Sequence, residues 1–145
     1  MKQIKLFDPY TDKLEKIAIN KVLESNFWAS GAGNGNVKKF EEKFSKYVNS
    51  KSSVAVNSGT AALNLALSMY DIKNREVILP SLSFVATANA IVENGGIPKF
   101  VDINEKTLCI EPEKILDSIT NKTKIILPVH FGGFSSDLTE ISKIC

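Results

Sequence analysis

Cysteine, histidine and tryptophan are scarce in this 145-residue sequence, which holds two, one and one of them. Cys109 and Cys145 lie far apart and in no metal-ligand spacing, and His130 stands alone. A structural metal centre and a disulfide framework are therefore excluded, and the thiols are expected reduced in a cytoplasmic protein. No charge of one sign dominates, with 18 Lys and Arg against 16 Asp and Glu. Because the two signs are interleaved, neither a nucleic-acid stripe nor a polybasic membrane patch is expected. No apolar run is long enough to span a bilayer. Residues 1–8 lack the sustained apolar stretch of a signal peptide. A P-loop pattern is also missing. The three glycines in Gly31-Ala32-Gly33-Asn34-Gly35 follow G-x-G-x-G spacing, not the dinucleotide G-x-G-x-x-G. This segment reads instead as a flexible or substrate-contacting loop.

What remains is an ordinary globular composition, 43% hydrophobic, sized for one domain and one core. A helix is expected from about Asp12 to Glu24, with Leu14, Ile17, Val22 and Leu23 on one side. After the glycine loop, Val37, Phe40, Phe44, Tyr47 and Val48 form the apolar stripe of a second helix. Lys38, Glu42 and Lys46 are spaced for i,i+4 ion pairs on its wet face. The pattern then alternates. Strands are expected at Ser53–Asn57, Glu76–Leu79, Pro98–Ile103 and Lys124–Val129. Helices are expected over Thr60–Tyr70, Phe84–Glu93 and Pro112–Ile119, and from Ser136-Asp137 to the end of the chain. Val77-Ile78-Leu79 and Ile125-Ile126-Leu127 are apolar on both faces, as strands of a covered parallel sheet are. The fold class is α/β, a three-layer α/β/α arrangement around a mostly parallel sheet.

Ligands in such sheets sit outside the carboxyl ends of the strands. Four segments are expected there: Asn57–Ala61, Pro80–Phe84, Asp102–Asn104 and His130–Gly133. Ser58-Gly59-Thr60 marks a strand-to-helix turn. Free N–H groups of Thr60 and Ala61 and a helix dipole would suit a phosphate there, although serine is equally an ordinary helix cap. Phe84 opens a helix at the same edge, where it either lies against a planar ring or packs into the core. His130 ends an apolar strand, and either contacts a ligand, shuttles a proton or is satisfied by backbone carbonyls.

Taken in order, these pieces resemble one family. They are Trp28-Ala29-Ser30-Gly31, Val37-Lys38-Lys39-Phe40-Glu41, Asn57-Ser58-Gly59-Thr60-Ala61-Ala62-Leu63, Pro80 to Ala88, Val101-Asp102-Ile103 and Pro128-Val129-His130. The whole, from about Ile4 to Cys145, resembles the DegT/DnrJ/EryC1/StrS sugar aminotransferases of the aspartate-aminotransferase fold. The resemblance implies a pyridoxal 5'-phosphate enzyme that moves an amino group from glutamate to a nucleotide-linked keto-sugar. It implies that Gly59, Thr60 and Ala61 hold the cofactor phosphate and that Phe84 stacks on the pyridine ring. Trp28, Ser30, Ser58 and His130 match positions near the sugar substrate or cofactor edge.

The same resemblance implies two residues that are not found here. A Schiff-base lysine and an aspartate for the pyridinium nitrogen are expected beyond Cys145, so no catalytic residue is assigned. Residues 1–145 then make the N-terminal part of the cofactor-binding large domain, without the small C-terminal domain. The apolar stripe Leu138, Ile141 and Ile144 meets no helix stop signal, and truncation is the expectation. The intact protein is expected to be a homodimer, with the 145-residue chain inactive alone. Two rival readings stand beside this one. One is a sugar 3-dehydratase of the same fold, with a histidine in place of the lysine. The other is a non-catalytic module that binds a ligand or a partner.

Overall fold

A computed structural model describes Lys5 and residues 8–28 and 35–145. These form two compact units, residues 1–55 and residues 56–145.

The first unit is helical. Helix α1 spans Lys13–Glu24 and α2 spans Asn36–Tyr47. Asp12 caps α1 reciprocally. Its carboxylate accepts from the Leu14 N–H at 2.6 Å, while Glu15 accepts from the Asp12 N–H at 2.7 Å. Phe40 and Phe44 of α2 pack ring to ring at 5.8 Å. The apolar stripes are where periodicity puts them, yet neither helix buries a residue within this chain. The expected pairs among Lys38, Glu42 and Lys46 do not close to salt bridges among the described residues. Exposed pairs gain too little to fix two long side chains.

The expected strand at Ser53–Asn57 does not form. Glu41 of α2 takes up the segment's polar groups instead. Its carbonyl accepts from the Ser53 hydroxyl at 2.5 Å, and its carboxylate accepts from the Ala55 N–H at 2.8 Å. An amide satisfied by a side chain has no further proton for a ladder.

The second unit carries the sheet. Helix α3 (Gly59–Ser68) leads to β1 (Glu76–Pro80), α4 (Val85–Glu93), β2 (Ile97–Val101), α5 (Pro112–Ser118), β3 (Thr123–Ile126) and α6 (Leu138–Ile144). Among the described residues the strand order is β2-β1-β3, and both pairings are parallel. Alternation along β1 divides the core. Val77 and Leu79 join Leu67, Ile72, Ala90 and Ile91 on the face covered by α3 and α4. Ile78 joins Val101, Ile110, Ile115 and Ile141 on the face covered by α5 and α6. Three layers result, as the double-sided apolar strands require.

Proline decides where the ladders stop. Pro98 in β2 opposes Val77, while the Ile97 N–H reaches back to the Arg75 carbonyl at 2.8 Å. The alternation turns the Pro98 nitrogen away from β1, where no donor is needed. Between β1 and β3 the last rung runs from the Leu127 N–H to the Ile78 carbonyl at 2.7 Å. The next would need an amide hydrogen on residue 80, and Pro80 has none. β3 accordingly ends at Ile126 and not at Val129. The strands part at their carboxyl ends between β1, which runs on through α4 to β2, and β3, which is reached from β2 through α5 on the opposite face of the sheet. That is the topological switch point of an open α/β sheet.

Helix α4 stops on a Schellman turn. The Gly95 N–H donates to the Val92 carbonyl and the Gly96 N–H to the Ile91 carbonyl, each at 2.9 Å. Gly95 has φ +77°, and a Cβ on Gly96 would stand 2.9 Å from Ile91 Cγ2 and 3.0 Å from Ile72 Cδ1. Replacing Gly96 with alanine is expected to cost about 1–3 kcal/mol through overpacking. Chemical denaturation of the variant measures it. A cost within error of zero would mean that Ile72 and Ile91 yield freely.

At the amino end of the sheet Glu76 ties the three strands together. Its Oε2 accepts from the Thr120 hydroxyl at 2.6 Å, the Thr123 hydroxyl at 3.1 Å and the Lys99 ammonium at 3.3 Å. The Thr120 hydroxyl, with Lys99 and Thr123, holds the carboxyl below the ordinary glutamate value, against an opposing contribution from desolvation. A depressed folded value gives stability that is present above the unfolded value of about 4.3 and lost as pH falls through the folded one. Between about pH 5 and pH 3 the wild-type midpoint should therefore fall more steeply than that of Glu76→Gln. Parallel pH profiles would sink this account.

Candidate functional site

Three of the four expected segments gather at the carboxyl ends. Pro80–Phe84 follows β1, Asp102–Asn104 follows β2, and His130–Gly133 follows β3 through Leu127-Pro128-Val129. The fourth, Asn57–Ala61, follows no strand. It enters α3, whose first turn faces the start of α4 across a shared hollow of about 570 Å³. That hollow is lined by Gly59, Thr60 and Leu63 on one side and by Phe84 and Thr87 on the other.

The α3 terminus is partly capped. Ser58 Oγ accepts from the Ala61 N–H at 3.1 Å, and the Ser58 carbonyl accepts from the Ala62 N–H at 3.1 Å. The expectation of a free N–H at Ala61 is thus corrected. Serine in extended conformation at this position reaches the third amide of the helix by geometry alone. The amides of Gly59 and Thr60 remain without a protein partner among the described residues. The Ser58 hydroxyl, acting as acceptor to Ala61, keeps its own proton to donate. A Cβ built on Gly59 meets nothing within 4 Å, so the helix end is open to an approaching group.

Phe84 is 76% exposed at the N-cap of α4 and does not pack into the core of the described residues. An aromatic face standing beside an open helix N-terminus suits a ligand that is planar at one end and anionic at the other. Thr87, one turn into α4, lines the same hollow at 6% exposure and was not singled out from sequence. Its spacing of three from Phe84, on one helix face, is the signal that would have found it.

His130 is exposed where the chain leaves β3, and its Nδ1 accepts from the Ser136 N–H at 3.0 Å. Asp102 is exposed, with Oδ1 accepting from the Ile103 N–H at 3.0 Å. Trp28, in the helical unit, is 69% exposed, with its indole N–H on the Val22 carbonyl at 3.1 Å. Ser30 and the glycines Gly31 and Gly33 lie outside the described residues.

A larger hollow, about 660 Å³, lies between the 104–113 and 134–140 segments. Glu111, Glu113, Asp137 and Glu140 line it, so an anion there would meet four like charges. The α3–α4 hollow is the better anion site despite its smaller volume. Among the described residues no cluster of three or more His, Cys, Asp or Glu is placed to hold a metal. Cys109 and Cys145 are both free thiols.

The described residues thus make an α/β unit with a parallel sheet that opens at its carboxyl edge and an open helix end beside an exposed aromatic ring. The chain belongs to the DegT/DnrJ/EryC1/StrS aminotransferase family, whose model matches residues 9–145. It is 43% identical over 137 residues to the spore coat polysaccharide biosynthesis protein SpsC of Bacillus subtilis, covering 94% of this chain and 34% of that protein. Among solved structures, an aminotransferase from Psychrobacter cryohalolentis superposes with a TM-score of 0.89 at 35% identity. The match covers 94% of this chain and 34% of that one. A GDP-4-keto-6-deoxymannose-3-dehydratase with a trapped PLP-glutamate geminal diamine superposes with a TM-score of 0.88 at 34% identity, covering 98% and 38%. The fold of this chain is thus that of the matching part of these proteins, and the chain spans about a third of their length.

Proposed function

We propose that the protein to which this chain contributes is a pyridoxal 5'-phosphate-dependent sugar aminotransferase, taking its amino group from glutamate and delivering it to a nucleotide-linked keto-sugar. The observation that carries the reading is the hollow shared by the open α3 terminus and Phe84, in a chain of an aminotransferase family. The donors present fit the cofactor. The free amides of Gly59 and Thr60 and the Thr60 hydroxyl suit its phosphate, and open space at Gly59 admits it. Ala61 joins them only by giving up the Ser58 hydroxyl. The exposed Phe84 ring provides a flat apolar face for the pyridine and keeps water from it. Once bound, the cofactor supplies an electron sink and carries the amino group between the two substrates. Ser58, His130, Trp28 and Ser30 are assigned to the substrate side of the site. The expected homodimer would complete it.

The sugar 3-dehydratase reading shares the cofactor and keeps support from the solved dehydratase, which superposes nearly as well as the aminotransferase. The two differ at the residue expected to follow Cys145, lysine for transamination and histidine for dehydration. Equilibrium dialysis of pyridoxal phosphate against the 145-residue chain tests what both share. Saturable binding that inorganic phosphate displaces, and that Phe84→Ala weakens, is expected. Absence of binding by the folded chain would remove the cofactor reading. The coding sequence after codon 145 then separates the two reactions.

A further inference from the structure

We infer that Ser136 is a positioning residue, which holds His130 as the tautomer with its proton on Nε2. The imidazole then serves the site as a hydrogen-bond donor and not as a base. The ligand half of this inference rests on the proposed cofactor reading, and the tautomer half stands on geometry alone.

After β3 the chain turns sharply through Phe131–Gly133, where Gly132 and Gly133 have φ +61° and +86°. Both values lie in the left-handed region that glycine enters without steric cost. The turn returns Ser136 to the strand end it has just left. There Ser136 is 3% exposed and donates two bonds in different directions. Its hydroxyl donates to the Val129 carbonyl at 3.0 Å, and its backbone N–H donates to His130 Nδ1 at 3.0 Å. The first bond anchors the residue to the backbone immediately before the histidine. The second acts on the ring.

An N–H donor directed at Nδ1 requires a lone pair there. In a neutral imidazole the ring proton must then sit on Nε2. The imidazole is thereby fixed in tautomer, and its remaining nitrogen carries a proton to give. Among the described residues Nε2 has no hydrogen-bond partner, and the side chain is exposed beyond the strand end. A ligand oxygen, from a phosphate, carboxylate or hydroxyl, is the group that accepts from such a donor. A base would need the opposite arrangement, with the free nitrogen unprotonated. Nδ1 is taken by backbone, and between the two ligand-side roles open to His130 from sequence, contact and proton shuttling, this bond selects contact by donation from Nε2.

The 145-residue chain contains one histidine, so nitrogen-15 NMR of the labelled chain reads a single ring. The expected result is a proton on Nε2 and a coupling across the hydrogen bond between the Ser136 amide nitrogen and Nδ1. A proton on Nδ1 would overturn the inference. Ser136→Ala keeps the amide but loses the anchor on Val129. It is expected to weaken that coupling and to speed exchange of the residue-136 amide about fivefold, the size of one ordinary hydrogen bond. Ser136→Thr, which keeps the hydroxyl, should restore both. An alanine variant with unchanged coupling and exchange would show that Ser136 positions nothing. Pyridoxal phosphate is then added to the wild-type chain. A shift of the Nε2 signal together with the Phe84 ring signals supports the donor role. Movement of Phe84 alone would overturn that role for His130 and leave the cofactor reading intact. Movement of neither, at saturating ligand, would sink both.

Discussion

Ile78→Ala is expected to lower the unfolding free energy by about 2–5 kcal/mol, a large share of the roughly 5–15 kcal/mol typical of a domain. Ile78 sits in the central strand and is fully buried. Its side chain fills the layer between the sheet and helices α5 and α6, against Val101, Ile110, Ile115 and Ile141. Neighbours drawn from β2, α5, α6 and the segment before α5 cannot all close on the lost volume at once. The backbone bond from Leu127 to the Ile78 carbonyl survives the change, so the loss is one of packing and not of pairing. Ile19→Ala provides the contrast. That residue is 60% exposed on α1, and its replacement should fall within about 0.5 kcal/mol of neutral. Urea unfolding of both variants decides the matter. An Ile78→Ala loss below about 1 kcal/mol would contradict the three-layer core.

The same residue shows why much of the fold was legible. Val77-Ile78-Leu79 is apolar at every position, and a strand with no wet face must be covered on both. The Gly95-Gly96 stop and the Pro112 start of α5 are local chemistry that no distant contact had to decide. The failures came where a distant partner intervened. Ser53–Asn57 has strand composition, but Glu41, twelve residues before Ser53, takes the Ala55 amide that a ladder would use and holds the Ser53 hydroxyl. β3 is shorter than its apolar run because its pairing depends on Pro80, which belongs to another strand.

The site divides in the same way. Glycine, serine and an exposed aromatic ring can be read from spacing. Whether Ser58 Oγ faces an amide or a ligand cannot, since the same side chain does either. Periodicity likewise found the stripes of α1 and α2. It reports which face is apolar, however, and not what lies against it.

Gly59→Asp should separate capping from ligand binding by moving the two in opposite directions. Gly59 is the first residue of α3, and a side chain there enters open space. For the helix the change is favourable. It replaces glycine, which costs conformational entropy, with an acidic residue at the positive end of the dipole. Stability should hold or rise by about 0.3–1 kcal/mol. For an anion in the α3–α4 hollow the change is adverse, because a carboxylate would stand where the phosphate is proposed to sit. Two unit charges about 5 Å apart at an effective dielectric near 20 repel by about 3 kcal/mol, which is roughly a hundredfold in affinity. The variant should therefore melt no lower than wild type and bind pyridoxal phosphate roughly a hundredfold more weakly. Gly59→Ala, which adds bulk without charge, should lie between the two. The combination to look for is a stable fold with binding lost. A Gly59→Asp chain that keeps wild-type affinity would mean that Ser58-Gly59-Thr60 caps α3 and that the phosphate binds elsewhere.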